Sequence, residues 1–282
     1  MAAEVLTPRT LAGLSVVPVQ ERSPYLNILI YGDSGTGKTT LAGSSTVVEE
    51  MHPTLVVDIE GGTESLRQTY SDVDVVRVRN WNEMQALYDV LHSGRHDYRT
   101  VILDSLTEIQ KFSMYQIMED LIRVHPDRDP DVPSMREWGK NIEQIRRFVR
   151  AFRDLEMHTI FTALTRTDKN PRTGMETKKP MLSGKLADEV AAFLDIVGYY
   201  YTKEVHRDGE DPTTLRLLLC HKTEDVTAKD RSGNLPMVVE EPTMRSLFDL
   251  MYPAKAPALT VTSDESDLTD DELATLTSAK EN

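Results

Sequence analysis

The sequence predicts an α/β protein in which a mainly parallel β-sheet is covered by helices on both faces. Short apolar runs alternate with helical patterns between residues 25 and 163. Most of these runs are largely apolar rather than alternating, which is typical of strands that are buried on both faces. Strands that alternate with helices favour parallel pairing, because a crossover helix returns the chain to the same edge of the sheet.

The predicted strands and helices follow one another along the first part of the chain. The strands occupy residues 25–31, 55–59, 73–78, 100–104 and 158–163, and the helices occupy residues 38–50, 63–70, 82–93, 106–123 and 134–155. The third strand has a weaker apolar pattern than the others, because Asp74 and Arg77 interrupt it.

After Ala163 the pattern changes. Residues 165–185 are polar and rich in Thr, Lys, Gly and Pro, which predicts a long loop. Further elements are predicted as C-terminal strands that pair antiparallel at residues 192–203 and 214–221, a turn at 230–234 and a closing helix at 242–252.

Composition divides the chain into three parts. The composition of residues 1–23 predicts an N-terminal arm, because prolines and glycines interrupt any regular spacing of apolar residues. We predict one domain over residues 24–252. The chain of 282 residues is 39% apolar, which is enough to form a sizeable buried core. Residues 253–282 predict a flexible acidic tail, with seven acidic residues against two lysines.

Charge and composition also exclude several classes of protein. A net charge of −14 excludes non-specific wrapping of nucleic acid by the whole surface, so a phosphate-rich partner requires a local basic patch. Cys220 is the single cysteine, which excludes an internal disulfide framework. No apolar run approaches the roughly 18 residues of a membrane span, and the first residues lack a signal-peptide pattern. We expect a cytoplasmic protein without a membrane partner.

A phosphate-binding motif follows the first predicted strand. The residues Gly32-Asp33-Ser34-Gly35-Thr36-Gly37-Lys38-Thr39 fit G-x-x-x-x-G-K-[ST] at every fixed position. The motif lies between a buried strand and a helix that continues through Thr40, which is the context that this motif requires. Glycines let backbone amides surround phosphate oxygens, Lys38 can reach the β- and γ-phosphates, and the Thr39 hydroxyl can bind Mg²⁺.

Two acidic residues at strand ends are candidates for the remaining chemistry. Asp104 ends the strand 100–104, where its carboxylate can hold magnesium; an ordinary helix-capping aspartate is the alternative. Glu60 follows the strand 55–59 and could orient or deprotonate the attacking water, whereas a solvated loop glutamate would have no such role. Asp58 shares its face and is a competitor, although Glu60 lies further out.

These motifs, in this order, resemble the RecA-type recombinase core. The likeness is greatest to phage-encoded RecA-like ATPases associated with single-strand annealing, which are also described as AAA-type ATP-binding proteins, and it covers residues 24–252. The resemblance implies a RecA-like P-loop NTPase fold, ATP and Mg²⁺ as ligands, and the cytoplasm of a phage-infected bacterial host. A strand that ends Asp104-Ser105 rather than Asp-Glu, with Glu60 on an earlier strand, favours this family over the AAA+ class.

The resemblance implies further site residues. Glu60 resembles the catalytic glutamate, and Arg67 lies where relatives place a side chain over adenine, although a helix-surface arginine is the alternative. Lys222, with Arg231 second, resembles the basic group that one subunit projects into its neighbour's ATP site; a surface charge is the alternative. The predicted loop resembles the second DNA-binding loop and carries six basic residues against two acidic ones, a net charge of +4: Arg166, Lys169, Arg172, Lys178, Lys179 and Lys185.

Two features complicate this interpretation. Relatives end the fifth strand with Gln or His that senses the γ-phosphate, whereas this chain has Leu164, for which Thr162 or Thr165 could substitute. A second basic stretch, residues 136–153, is amphipathic, so a helix that packs on the sheet is favoured over a DNA-facing one.

The sequence therefore predicts an ATP-binding and ATP-hydrolysing RecA-like protein that acts on single-stranded DNA in phage recombination or annealing. We expect a homo-oligomer, either ring or filament, and a single-stranded-DNA-binding protein as a further candidate partner for the acidic tail. The alternative is a nucleotide-dependent switch or assembly ATPase that acts on protein partners without binding DNA. A nucleotide kinase is disfavoured, because no lid segment of clustered arginines is present.

Overall fold

The computed structural model describes residues 9–12, 14–16, 25–169, 171–206 and 211–253. The predicted acidic tail, except for Pro253, lies outside the described residues. The strands are β1 (Arg9–Leu11), β2 (Leu14–Val16), β3 (Asn27–Gly32), β4 (Thr54–Asp58), β5 (Asp74–Arg77), β6 (Thr100–Asp104), β7 (His158–Lys169), β8 (Glu176–Pro180), β9 (Ile196–Val205), β10 (Thr213–Leu219), β11 (Lys229–Asp230) and β12 (Val238–Glu240). The helices are α1 (Lys38–Gly43), α2 (Glu64–Thr69), α3 (Trp81–His92), α4 (Leu106–Val124), α5 (Met135–Arg153), α6 (Leu186–Phe193) and α7 (Met244–Met251).

A ten-stranded mixed sheet organises the described part of the chain. Eight of its strands lie in the order β12-β10-β9-β3-β7-β6-β4-β5, with β11 paired to β9 and β8 paired to β7. The pairs from β9 through β5 are parallel, whereas β10 and β12 are antiparallel. The predicted α/β fold, with a mainly parallel sheet and C-terminal antiparallel strands, is confirmed. Strands β1 and β2 form a separate two-stranded sheet.

The core has two layers because alternate side chains of each buried strand point to opposite faces. Leu29 and Tyr31 of β3 belong to one layer, which α3–α6 cover. Ile28 and Ile30 belong to the other, which also contains buried side chains of α1, α2 and α7. Cys220, directly after β10, is completely buried in this second layer. Continuous apolar runs therefore did indicate strands buried on both faces. Among the described helices, none combines the length and apolar character of a membrane span.

The predicted loop over residues 165–185 is wrong. Strand β7 continues to Lys169 and pairs antiparallel with β8, from Thr165 opposite Pro180 to Lys169 opposite Glu176. Gly174, with φ of +71°, lies in the connection, where the left-handed backbone favours glycine. The sequence did not reveal this element because its residues are mostly polar, so no apolar alternation marks it. We call residues 165–180 the β7–β8 hairpin.

Other boundaries also differ from the prediction. The unpredicted helix α6 precedes β9, so the strand predicted at residues 192–203 begins at Ile196 instead. Helix α1 ends at Gly43 and a short 3₁₀ helix, Ser44–Val47, follows it. Gly43 packs so closely that an added Cβ would lie 2.4 Å from Leu66 Cδ2 of α2. Tertiary packing rather than helical periodicity therefore determines these boundaries.

Candidate nucleotide-binding site

The predicted phosphate loop lies between β3 and α1, at the carboxyl edge of the parallel strands. Gly35 and Gly37 have φ of +79° and +95°, a left-handed backbone that lets the chain turn sharply. Gly32 is required for a different reason: an added Cβ would lie 2.1 Å from the carbonyl oxygen of Tyr200 on β9. At Gly35 an added Cβ would meet nothing within 4 Å, so this part of the loop faces open space.

Lys38 is folded back over the loop. Its Nζ donates hydrogen bonds to the carbonyl oxygens of Gly32 and Asp33, at 3.0 and 2.8 Å. Burial lowers the pKa of the Lys38 ammonium, and three nearby carboxylates oppose that shift, of which Asp104 contributes most. The other two are those of Glu60 and Asp33. The ammonium is thus positioned where it can exchange carbonyl oxygens for phosphate oxygens.

Asp104 joins three elements of the site. Its Oδ2 accepts a hydrogen bond from the Thr39 hydroxyl at 2.7 Å, and its Oδ1 accepts one from the Thr162 hydroxyl of β7. The carboxylate is buried at the end of β6, and the peptide bond to Ser105 is cis. A hydroxyl next to a carboxylate is a set of hard oxygen ligands, which suits Mg²⁺.

Glu60 and Asp58 have different surroundings, which separates these two candidates. The Ser105 hydroxyl donates a hydrogen bond to the exposed Glu60 carboxylate. The buried Asp58 carboxylate instead accepts from Arg77 at 2.8 Å and from the Gly61 amide at 2.6 Å. Asp58 is therefore engaged in a local ion pair, whereas Glu60 faces the loop region and stays the predicted catalytic acid.

The structure does not bring Arg67 to the loop. Arg67 lies on α2, its side chain is 80% exposed, and its guanidinium is 3.8 Å from Glu64 on the same helix. The role of Arg67 over a base stays a prediction.

The other predicted loop residues lie where the motif places them. Thr40 lies half-buried in the first turn of α1, and Asp33 and Ser34 are exposed on the loop.

Most basic side chains of the predicted DNA-binding segment have partners within the chain. Arg166 pairs with Asp168 at 2.8 Å, and Lys179 pairs with Asp188 at 2.9 Å. Lys169 lies 3.9 Å from Glu176. The remaining members are Lys178, which donates to the Tyr199 hydroxyl at 3.1 Å, Arg172 near the hairpin turn and Lys185, exposed before α6. Asp168 and Glu176 are already included in the net charge of +4, so the acid that compensates it further is Asp188, which lies outside the segment.

Lys222 and Arg231, the two candidates for a basic group that reaches a neighbouring subunit's ATP site, differ in their contacts. Lys222 is exposed after β10, and beside it lie Glu224 and Met175 of the hairpin connection. Arg231 pairs with Asp195 at 2.7 Å and donates to the carbonyl oxygen of Ala192 at 3.1 Å. These bonds give Arg231 a role in its own chain, so Lys222 is the better candidate.

Sequence reasoning missed three residues of the site. Ser105 was visible only as the neighbour of Asp104, and no pattern indicated its bond to Glu60. Tyr200 and Arg216 come from β9 and β10, and both side chains lie beside Gly37: an added Cβ there would be 3.5 Å from Arg216 Nε and 3.8 Å from Tyr200 Cε1. Only the strand order brings them to the loop.

Leu164, at the position where relatives carry Gln or His, makes a hydrogen bond with its backbone. Its amide donates to the Thr107 hydroxyl at 3.1 Å.

Comparison with known proteins gives one family. The model of an AAA domain matches residues 25–232, and no curated protein matches the chain. A prototypical ATPase from the type III secretion system of pathogenic bacteria is 16% identical, over 62% of this chain and 51% of that chain, with a TM-score of 0.39. The assembled ATPase EscN of enteropathogenic E. coli is also 16% identical, over 62% of this chain and 43% of that chain, with a TM-score of 0.40.

The chain spans about half the length of these two solved structures. The family match extends from β3 to the end of β11, so it includes the phosphate loop, Glu60 and Asp104. It covers most of the 282 residues. The chain therefore belongs to the AAA domain family, as a nucleotide-binding P-loop ATPase domain.

Proposed function

We propose that this domain hydrolyses ATP with the help of Mg²⁺. The observation that carries the proposal is the convergence of Lys38, Thr39 and Asp104 at one edge of the sheet, with hydrogen bonds of 2.7 to 3.0 Å between them or to the loop. The loop amides and the Lys38 ammonium would bind the phosphate chain. Thr39 and Asp104 would hold the metal ion, which supplies positive charge to the phosphate oxygens.

Glu60 is the proposed base. Water attacks the γ-phosphorus, its proton passes to the Glu60 carboxylate, and the bond to the β-phosphate oxygen breaks to release ADP. The hydrogen bond from Ser105 fixes one carboxylate oxygen and leaves the other for the water. The Lys38 ammonium would stabilise the charge on the phosphate oxygens, and the three nearby carboxylates favour its protonated form.

Phosphate release by the purified protein tests this function. Lys38→Ala removes the ammonium, and we expect the rate to fall by at least about a hundredfold, the cost of losing one group that stabilises transition-state charge. Arg123→Ala is the control, because Arg123 is exposed near the end of α4 and pairs with Asp120. Hydrolysis that survives Lys38→Ala would contradict the site assignment.

We further propose that hydrolysis serves action on single-stranded DNA, in recombination or annealing within a phage-infected cell. Two features support this. The β7–β8 hairpin carries five of the six basic residues, all except Lys185, and continues the strand that contains Thr162, whose hydroxyl binds Asp104. A change at Asp104 could therefore reach the hairpin through this hydrogen bond and the backbone of β7. In a ring or filament, Lys222 would act in the neighbouring subunit's site.

One observation favours the alternative, an assembly ATPase that acts on protein partners. Arg166, Lys169 and Lys179 already face carboxylates of their own chain, so fewer free cations remain for a phosphate backbone. A salt titration of single-stranded DNA binding distinguishes the two. A DNA-acting protein loses affinity steeply as salt rises, with a log–log slope of about −0.7 per neutralised phosphate. Absence of binding at low salt would favour the protein-acting alternative.

A further inference from the structure

An arginine from the antiparallel part of the sheet lies next to the phosphate loop. Arg216 is the middle residue of β10, opposite Thr202 of β9, and β9 pairs directly with β3. Because β10 runs antiparallel, its start lies at the same edge as the carboxyl end of β3. The side chain reaches Gly37, where an added Cβ would be 3.5 Å from its Nε and 3.9 Å from its Cδ.

The charge of Arg216 is only loosely compensated. In the part of the chain that the structure describes, its acidic neighbour is Glu241, whose Oε2 lies 3.9 Å from Nη1. The Oε1 atom of Glu241 accepts the backbone amide of Arg216 instead, at 2.7 Å. Both side chains are 50% exposed. By contrast, Arg77 and Arg231 have carboxylate oxygens at 2.8 and 2.7 Å. Arg216 therefore presents a half-exposed cation beside the loop.

The phenol of Tyr200 completes the surroundings of this cation. Tyr200 is buried, and its Cε1 would be 3.8 Å from a Cβ at Gly37. Burial raises the pKa of Tyr200 to about 12, while the Arg216 charge opposes that shift. The phenol stays neutral, so it does not compete with a phosphate for the guanidinium.

The position of Arg216 identifies which part of a nucleotide it can reach. Glu60 and Asp104, the groups proposed to act at the γ-phosphate, follow β4 and β6 on one side of β3. Arg216 comes from β10 on the opposite side of β3. A nucleotide whose terminal phosphate lies toward β6 can therefore place its remaining phosphates on the β9 side of the loop, beside Arg216.

We infer that Arg216 is a nucleotide-binding residue of its own subunit, whose guanidinium binds oxygens of the α- and β-phosphates. The planar fork of a guanidinium matches phosphate oxygens and stays charged at every working pH. This inference rests on the proposed function, because it requires a nucleotide in the phosphate loop. It differs from the role of Lys222, since Arg216 acts without a second subunit.

Equilibrium binding of fluorescent ADP and of a non-hydrolysable ATP analogue, both with Mg²⁺, tests the inference. Arg216→Gln should weaken both ligands equally, by about tenfold to a hundredfold, as expected for a lost hydrogen bond between charged groups. Arg123→Gln is the matched control, because Arg123 is exposed on α4 and pairs with Asp120. ADP affinity within twofold of wild type, or a loss confined to the ATP analogue, overturns the inference.

A second variant keeps the test decisive if Arg216→Gln does not fold. Glu241→Gln removes the competing carboxylate and should tighten ADP binding by about twofold to fivefold, the strength of an exposed ion pair. Unchanged or weaker binding overturns the inference. Failure of wild-type protein to bind either nucleotide would instead reject the proposed function, so the two failures are distinguishable.

Discussion

Replacing Gly32 with alanine tests the packing of the phosphate loop against β9. The added Cβ would lie 2.1 Å from the carbonyl oxygen of Tyr200 and 3.2 Å from the Thr36 hydroxyl. Real Cβ atoms do not approach backbone closer than about 3 Å, so β3 and β9 must separate by about 1 Å or more. Both strands pair directly, which means that this movement strains the sheet.

We expect Gly32→Ala to destabilise the protein by about 1 to 3 kcal/mol, the cost of overpacking a filled core. For a domain of this size that lowers the melting temperature by about 2 to 12 °C. Gly62→Ala is the matched control, because an added Cβ there meets nothing within 4 Å. Its reduced unfolded-state entropy should leave the protein unchanged or about 0.4 to 1 kcal/mol more stable.

Differential scanning calorimetry without nucleotide measures both variants. Equal melting of Gly32→Ala and wild type would refute the reasoning, because it would mean that the loop and β9 are not in contact. Equal destabilisation by Gly62→Ala would also refute it, since the effect would then belong to any alanine rather than to this contact.

Two further predictions concern the proposed base and a buried histidine. Glu60→Gln should lower kcat by about 10² to 10⁴, which is the contribution of a general base. The affinity for ATP, measured by fluorescence, should change less than about threefold. A large loss of ATP affinity would instead assign Glu60 to nucleotide binding. His158 is buried, and its Nδ1 accepts the Leu26 amide at 3.0 Å. Burial lowers the pKa of His158 from 6.5 to about 4, so stability that is fully present above pH 6.5 is lost as the pH falls toward 4. We expect His158→Gln to flatten the dependence of the urea midpoint on pH between 6.5 and 4, and an unchanged slope would contradict this.

The sequence was sufficient where one local pattern determines one structure. Continuous apolar runs located β3, β4, β6 and the start of β7, because burial on both faces leaves no room for polar side chains. The phosphate loop was visible because its glycines, lysine and threonine follow at fixed spacing. The proximity of Thr39 and Asp104 required only that β3 and β6 run parallel in one sheet, because their carboxyl ends then lie at the same edge even though β7 lies between them.

Other features depend on contacts between distant segments, and the sequence did not reveal them. The β7–β8 hairpin has polar faces, so its pairing has no hydrophobic signature. Arg216 lies 179 positions after Gly37 in the sequence and meets it only because β9 and β10 join the sheet beside β3. The choice between Asp58 and Glu60 as the candidate base also depended on the structure, because the ion pair of Asp58 is formed with Arg77 of the next strand.

The single thiol of the chain, that of Cys220, offers a built-in probe of unfolding. The Cys220 side chain has 0% exposure, and burial raises the pKa of its thiol to about 12. Thiolate is the form that reacts with alkylating reagents, so the native protein should resist them at neutral pH. Labelling can then proceed only through molecules in which the end of β10 has opened. The modification rate therefore reports how often this layer of the core opens, without any engineered label.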